Sequence, residues 1–140
     1  MRMSGRVMIG GAIAAFGLAA SGASFSDAID LKLTGAWTTS EADCSKVFVR
    51  RGGALAYREP VDRFAQAAII EPGVLRMPSS TCRVQSVLHE KEGVKITADC
   101  RDSISYTTQT AVIKVRSPGE IVYSPTGDPA LDTSMVKCKL

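Results

Sequence analysis

Four cysteines, one histidine and a few carboxylates are the residues of this 140-residue chain that could do chemistry. Cys44, Cys82, Cys100 and Cys138 are widely spaced, with no CxxC or CxxH pair, so a tetrahedral zinc site has no pattern to build on. An even number of cysteines in an exported chain reads instead as two disulfides. His89 precedes Glu90-Lys91-Glu92-Gly93 and falls in a charged hairpin turn. A Ser-His-Asp set needs a buried, oriented imidazole, which an exposed turn does not supply. Asp99, Asp102 and Ser103 cluster around Cys100, but carboxylates at a strand end commonly cap and solubilise. Gly52-Gly53 marks a turn and not a phosphate loop, and Arg50-Arg51 is a hydrophilic approach to it. The expectation is a protein that is not an enzyme, with no cofactor and no metal.

The N-terminus sets the compartment. Arg2 and Arg6 are followed by an apolar stretch from Val7 to Ala20 and by Ser21-Gly22-Ala23. That is the order of a secretory signal peptide, which makes residues 1–23 the signal and Ser24 the start of the mature chain. A second cut, after Ser26-Asp27-Ala28, also fits. The apolar run is shorter than the roughly 20 residues a membrane span needs, and no cysteine near the cut could take a lipid. Residues 24–140 then form a single β-rich domain of 117 residues with no stable membrane insertion, in the bacterial periplasm or outside the cell. Loss of Arg2 and Arg6 lowers the basic count from 17 to 15 against 14 acidic residues, a net charge of +1. No stripe of Lys and Arg interleaved with aromatics remains, so nucleic acid is not an expected partner.

Strands position the cysteines. With the turn at His89–Gly93, Leu88 pairs with Val94, Ser86 with Ile96, Val84 with Ala98 and Cys82 with Cys100. Val84, Leu88, Val94, Ile96 and Ala98 then share an apolar face with both cysteines, while Arg83, Gln85, Lys95, Thr97 and Asp99 face water. Directly opposed Cβ atoms lie close enough to bridge, so the hairpin favours Cys82–Cys100 and leaves Cys44 for Cys138. A second hairpin turns at Ser117-Pro118-Gly119, pairing Arg116 with Glu120, Val115 with Ile121 and Ile113 with Tyr123, with the last two pairs facing inward. Upstream the phase changes, because Ile104 and Tyr106 are even-numbered and Ala111, Ile113 and Val115 odd. A bulge or break is expected between Thr107 and Thr110.

The earlier half is finer-grained. Trp37 sits in a strand from Leu33 to Thr39, and Val47-Phe48-Val49 leads to Gly52-Gly53 and a return over Ala54 to Tyr57. Between Glu59 and Ile70 a helical face (Val61, Phe64, Ala65, Ala68, Ile69) competes with a hairpin about Pro72-Gly73. The favoured reading is an irregular or helical turn over 60–65, then strands. The last strand runs from Met135 to Leu140 and carries Cys138. The fold class is all-β: a small antiparallel barrel of about eight strands, or a sandwich, stapled by disulfides.

Leu33-Thr34-Gly35-Ala36-Trp37, followed by Ser40-Glu41-Ala42-Asp43-Cys44, resembles the start of small calycin-type, lipocalin-like barrels. In particular it resembles the Inh-type inhibitors of secreted bacterial metalloproteases. The resemblance implies an exported, disulfide-bonded, eight-stranded barrel in which Gly35 tolerates a bend and Trp37 packs across one barrel end. It also implies that the N-terminal segment, here Ser24 to Lys32 with Ser24, Phe25 and Ser26 at its head, enters the protease cleft. The chain departs from those inhibitors in having four cysteines where they typically have one disulfide.

Three functions fit these readings. A binding or inhibitor module would engage a protein target in the envelope or medium through an arm or loop. A carrier would hold a small apolar ligand in a cavity of roughly 300 Å³ or more. An envelope structural protein would have no discrete site. The protein-binding module is the reading the sequence favours.

Overall fold

A strand that buries every second side chain still needs a neighbour on each edge to satisfy its backbone, and here a closed ring supplies both. The computed structural model describes residues 25, 26 and 28–140; the expected signal segment and Ser24 lie outside the described residues. In chain order the elements are β1 (Phe25–Ser26), a 3-10 turn (Leu31–Leu33), β2 (Gly35–Thr38), a 3-10 turn (Glu41–Asp43), α1 (Cys44–Val47), β3 (Phe48–Arg51) and β4 (Ala54–Tyr57). There follow β5 (Ala67–Ile70), β6 (Val74–Arg76), β7 (Thr81–His89), β8 (Gly93–Arg101), β9 (Tyr106–Ser117), β10 (Glu120–Ser124), a 3-10 turn (Pro129–Leu131) and β11 (Thr133–Lys137). Antiparallel pairing runs β2, β5, β6, β7, β8, β9, β10, β11 and back to β2. The fold is therefore the eight-stranded barrel and not the sandwich. β3 and β4 form a separate hairpin, and β1 pairs with β7.

One end of the barrel, the base, carries the turns at 71–73, 90–92 and 117–119. The opposite end, the rim, carries the turn at 102–105 and the excursion from Thr39 to Gln66. All eight barrel strands contribute inward side chains to one core, which includes Trp37, Ile70, Leu75, Val87, Ile96, Ile113, Ile121 and Met135. A second core lies outside the wall. Ala36, Ala67 and Ile69 point away from the interior and are covered by Phe48, Cys44 and Cys138, with Val47, Leu55 and Tyr57 against them. This explains why all four residues of β5 are buried: alternate ones serve opposite cores.

Both expected disulfides form. Cys82 and Cys100 face each other across β7 and β8, inside the barrel. Cys44 and Cys138, with Cα atoms 5.6 Å apart, tie the excursion to the residue after β11.

Several register expectations need correction. Cys82–Cys100 and Val84–Ala98 pair as the alternation requires, but a bulge at Gln85 shifts the rest, so that Ser86 meets Thr97, Val87 meets Ile96 and His89 meets Val94. Val87 therefore takes the core position expected for Leu88, and His89 ends the strand instead of lying in the turn. In the second hairpin Glu120 pairs with Ser117, not with Arg116, and Val115 is 45 % exposed. The bulge expected between Thr107 and Thr110 does not form, since β9 pairs evenly with β8 from Tyr106 to Lys114. The irregularity lies instead at Arg116, opposite the Glu120–Ile121 step of β10. The apparent phase conflict disappears because Ile104 and Tyr106 lie at the rim and are exposed. The strand at Trp37 starts at Gly35, since Leu31–Leu33 curl into a 3-10 turn, and Val47 closes α1 before β3 begins. Residues 60–66 are irregular, and the last strand ends at Lys137, one residue before Cys138.

Candidate functional site at the base of the barrel

Asp30 accepts a hydrogen bond from the Lys32 backbone N–H at 2.9 Å and so starts the turn at Leu31–Leu33. The Leu33 carbonyl in turn accepts the Trp37 indole N–H at 2.8 Å. Trp37 is 0 % exposed, and this bond satisfies its one polar atom. Lys137 on β11 lays its stem toward the same ring, with Nζ 5.8 Å from the ring centroid. Gly35 has φ +135°, and a Cβ there would stand 2.8 Å from Lys137 Cε. The glycine thus permits both the backbone bend and the crossing of the lysine over the tryptophan. Ile29, buried, is held by its N–H to the Pro72 carbonyl at 2.7 Å.

Around this closure lies an open depression of about 1300 Å³. The buried core residues Leu33, Trp37, Val94 and Ile121 lie beneath its floor. Asp30, Lys32, His89, Glu90, Glu92, Lys114, Arg116 and Lys137 supply ionisable walls of both signs. The two-residue strand β1 runs beside it, with Phe25 opposite Leu88 and Ser26 opposite Val87, immediately before His89. The structure therefore brings Phe25 and Ser26 of the predicted arm, the Gly35–Trp37 closure and His89 to one end of the molecule. Lys91 and Glu92 lie in the turn there, which the Glu90 N–H closes onto the Gly93 carbonyl at 2.9 Å, and Gly93 is obligatory because a Cβ would collide with the Ile113 carbonyl.

His89 is not assembled with the carboxylates on either side of Cys100. Its partner Val94 lies five residues before Asp99 on β8, about 16 Å at the rise of a strand, and Asp102 and Ser103 lie farther still, at the rim. Asp102 has a local duty there. Its carboxylate accepts from the Ile104 N–H at 2.8 Å, the Ser105 N–H at 2.7 Å and the Ser105 hydroxyl at 2.9 Å. Those bonds, the backbone ones foremost, hold its carboxyl below the ordinary carboxylate value. Asp99 accepts from the Thr108 hydroxyl at 2.7 Å. Among the described residues no group of three His, Cys, Asp or Glu side chains comes together as a metal site.

Two rim features escaped the sequence reading. Phe64 and Ile104 are 94 % and 93 % exposed, each two residues after an aspartate whose carboxylate accepts its N–H. The recurring Asp-x-apolar step in two loops was the available signal. On the outer core, burial pushes the Tyr57 phenol well above its ordinary value, and its hydroxyl donates to the Arg76 carbonyl at 2.6 Å. Arg76 donates from Nη2 to the Leu55 carbonyl and to Glu71, which fixes the outer hairpin to the wall. Among the described residues no helix is long and apolar enough to cross a membrane, and the two disulfides fit an oxidising, exported setting.

Comparison with protein-family models, with curated proteins and with solved structures finds no match. The likeness to calycin-type barrels accordingly stands on the closed eight-stranded antiparallel ring alone.

Proposed function

We propose that the mature chain is an exported binding module, not an enzyme, that binds or inhibits a protein target in the periplasm or medium, a secreted protease being the first class to try. The observation that carries this reading is the filled interior. Side chains from every barrel strand pack into one core, so recognition falls to the outer surfaces and ends. At the base, a depression with ionisable walls of both signs lies beside the head of the arm, which suits a polypeptide better than an apolar small molecule. The depression exceeds the roughly 300 Å³ that a carrier of apolar ligands needs, but it is open and walled in part by charge, whereas such a carrier would need an enclosed, mostly apolar chamber.

The test is inhibition of a panel of secreted metalloproteases by the processed chain, alongside a variant lacking Ser24, Phe25 and Ser26. The deletion must stop there because Ile29 belongs to the core. The expected result is a 1:1 inhibitory complex that the deletion abolishes while the melting temperature stays within a few degrees. Inhibition that survives the deletion would remove the arm from the mechanism. Absence of binding to every protease, with a small molecule retained in native mass spectrometry, would replace the reading with that of a carrier.

A further inference from the structure

β9 is covered unequally by its two neighbours. β8 pairs with it from Tyr106 to Lys114, whereas β10 pairs only from Val112 to Ser117. Tyr106 to Ala111 thus have a ladder on one edge and none on the other among the described residues. The phase of that free edge follows from two bonds. Asp102 N–H donates to the Ser105 carbonyl at 3.1 Å and Val115 N–H to the Glu92 carbonyl at 2.8 Å, which assigns the odd-numbered residues of β9 to bonding with β8. Tyr106, Thr108 and Thr110 therefore direct their N–H and C=O groups outward, three donors and three acceptors in a row. Tyr106 is 61 % exposed, and Thr107, Thr108 and Gln109 are exposed beside it.

Open edges are normally guarded by charge, proline or a covering segment. The edge of β7 that β6 leaves uncovered is covered by β1. Among the described residues the β9 edge has no such guard. Ser103 to Ile113 is an uncharged run of eleven residues without proline or glycine, the longest stretch free of charge in residues 28–140. It is also rich in the β-branched and aromatic residues that favour strands.

We infer that this edge pairs antiparallel with the same edge of a second copy of the chain. A two-fold axis at Thr108 sets Thr108 opposite itself, Tyr106 opposite Thr110 and Thr107 opposite Gln109. Every residue paired in this ladder is neutral, so within it no charge meets a like charge, and Thr–Thr and aromatic–β-branched pairs stabilise a ladder. The same register brings the Asp102–Ser105 turn beside the end of β10, where Ile104 gains cover from water. A five-residue ladder buries less than the roughly 1,200 Å² of a standard interface, so the dimer is weak and concentration-dependent.

Sedimentation velocity of the processed chain over a wide concentration range, combined with amide exchange by NMR, tests this. The expected result is a mass that approaches twofold with concentration while the amides of Tyr106, Thr108 and Thr110 slow in parallel. Those of Thr107 and Gln109, bonded within the barrel, stay slow throughout. Thr108→Pro removes an outward N–H, which an edge strand tolerates, together with the exposed hydroxyl bond to Asp99. It should stay monomeric and melt as Thr108→Val does, a variant that lacks that hydroxyl but keeps the N–H and should still dimerise. A wild-type chain that is monomeric at every concentration, with fast exchange at 106, 108 and 110, would overturn the inference. So would a dimer that Thr108→Pro forms equally well. Neither outcome bears on the protease reading, which concerns the base.

Discussion

The two cores that share the β2–β5 wall are stabilised differently. The inner one is enclosed by geometry: eight strands wrap it and both ends of each side chain's environment are protein. The outer one is a patch of wall under a short helix and a two-stranded hairpin, with few buried residues. A two-stranded hairpin is marginal alone in water. Each core contains one disulfide, but the loops they close differ, with sequence separations of 94 for Cys44–Cys138 and 18 for Cys82–Cys100. The long staple sits where packing is thin, and the short one where packing is already dense.

That contrast ranks the expected losses. Replacing Cys44 and Cys138 together by Ala should cost about 4–5 kcal/mol on the chain-entropy account. Its signature should be local as well as global. Hydrogen exchange in β3 and β4 should become fast while amides of β7 and β8 remain protected. If the two regions lost protection together, the outer core would have to be an equal part of one cooperative unit, and the comparison would fail.

Trp37→Ala should come next, at about 3–5 kcal/mol, through the cavity it leaves and the Leu33 carbonyl it strands. Chemical denaturation should show both cores melting together in this variant, because the inner barrel carries the outer patch. A near-native midpoint would contradict the complete burial of the ring. Removing Cys82 and Cys100 should cost less, about 3 kcal/mol, since the loop is short and the surrounding β7–β8 ladder persists.

The asymmetry between the cores also explains what could be read in advance. Strict alternation over Cys82–Val84 and Val94–Cys100 identified an inner face and its disulfide directly. The reading slipped at Gln85 because Val87 and Leu88 are adjacent and both apolar, so a one-residue bulge moves the core position from one to the other without breaking any visible pattern. Ala67 to Ile70 is a continuous apolar run, and periodicity does not distinguish a strand buried on both faces from a helix segment. Only the second core, assembled from β2, β5, α1 and the β3–β4 hairpin, accounts for it. Ile104 and Tyr106 misled for the opposite reason, since apolar residues placed at the rim carry no mark of exposure. The base depression draws residues from five separated segments, which barrel closure alone brings together.

The smallest expected effect lies outside both cores. Asp102 is fully exposed, and its bonds organise only the turn that presents Ile104. Its carboxyl is held below its ordinary value in the fold, so the unfolded chain binds the proton more readily. The stabilisation is then complete above the unfolded value, near pH 4, and disappears as the pH falls through the lower folded value. Asp102→Ala should leave the global midpoint almost unchanged at neutral pH and should flatten this acid dependence. Its main consequence should be faster exchange of the Ile104 and Ser105 amides, with Thr107 unaffected because β8 still holds it. Loss of protection spreading from the turn into β8 and β9 would show that the rim depends on Asp102, as the outer core depends on its long staple.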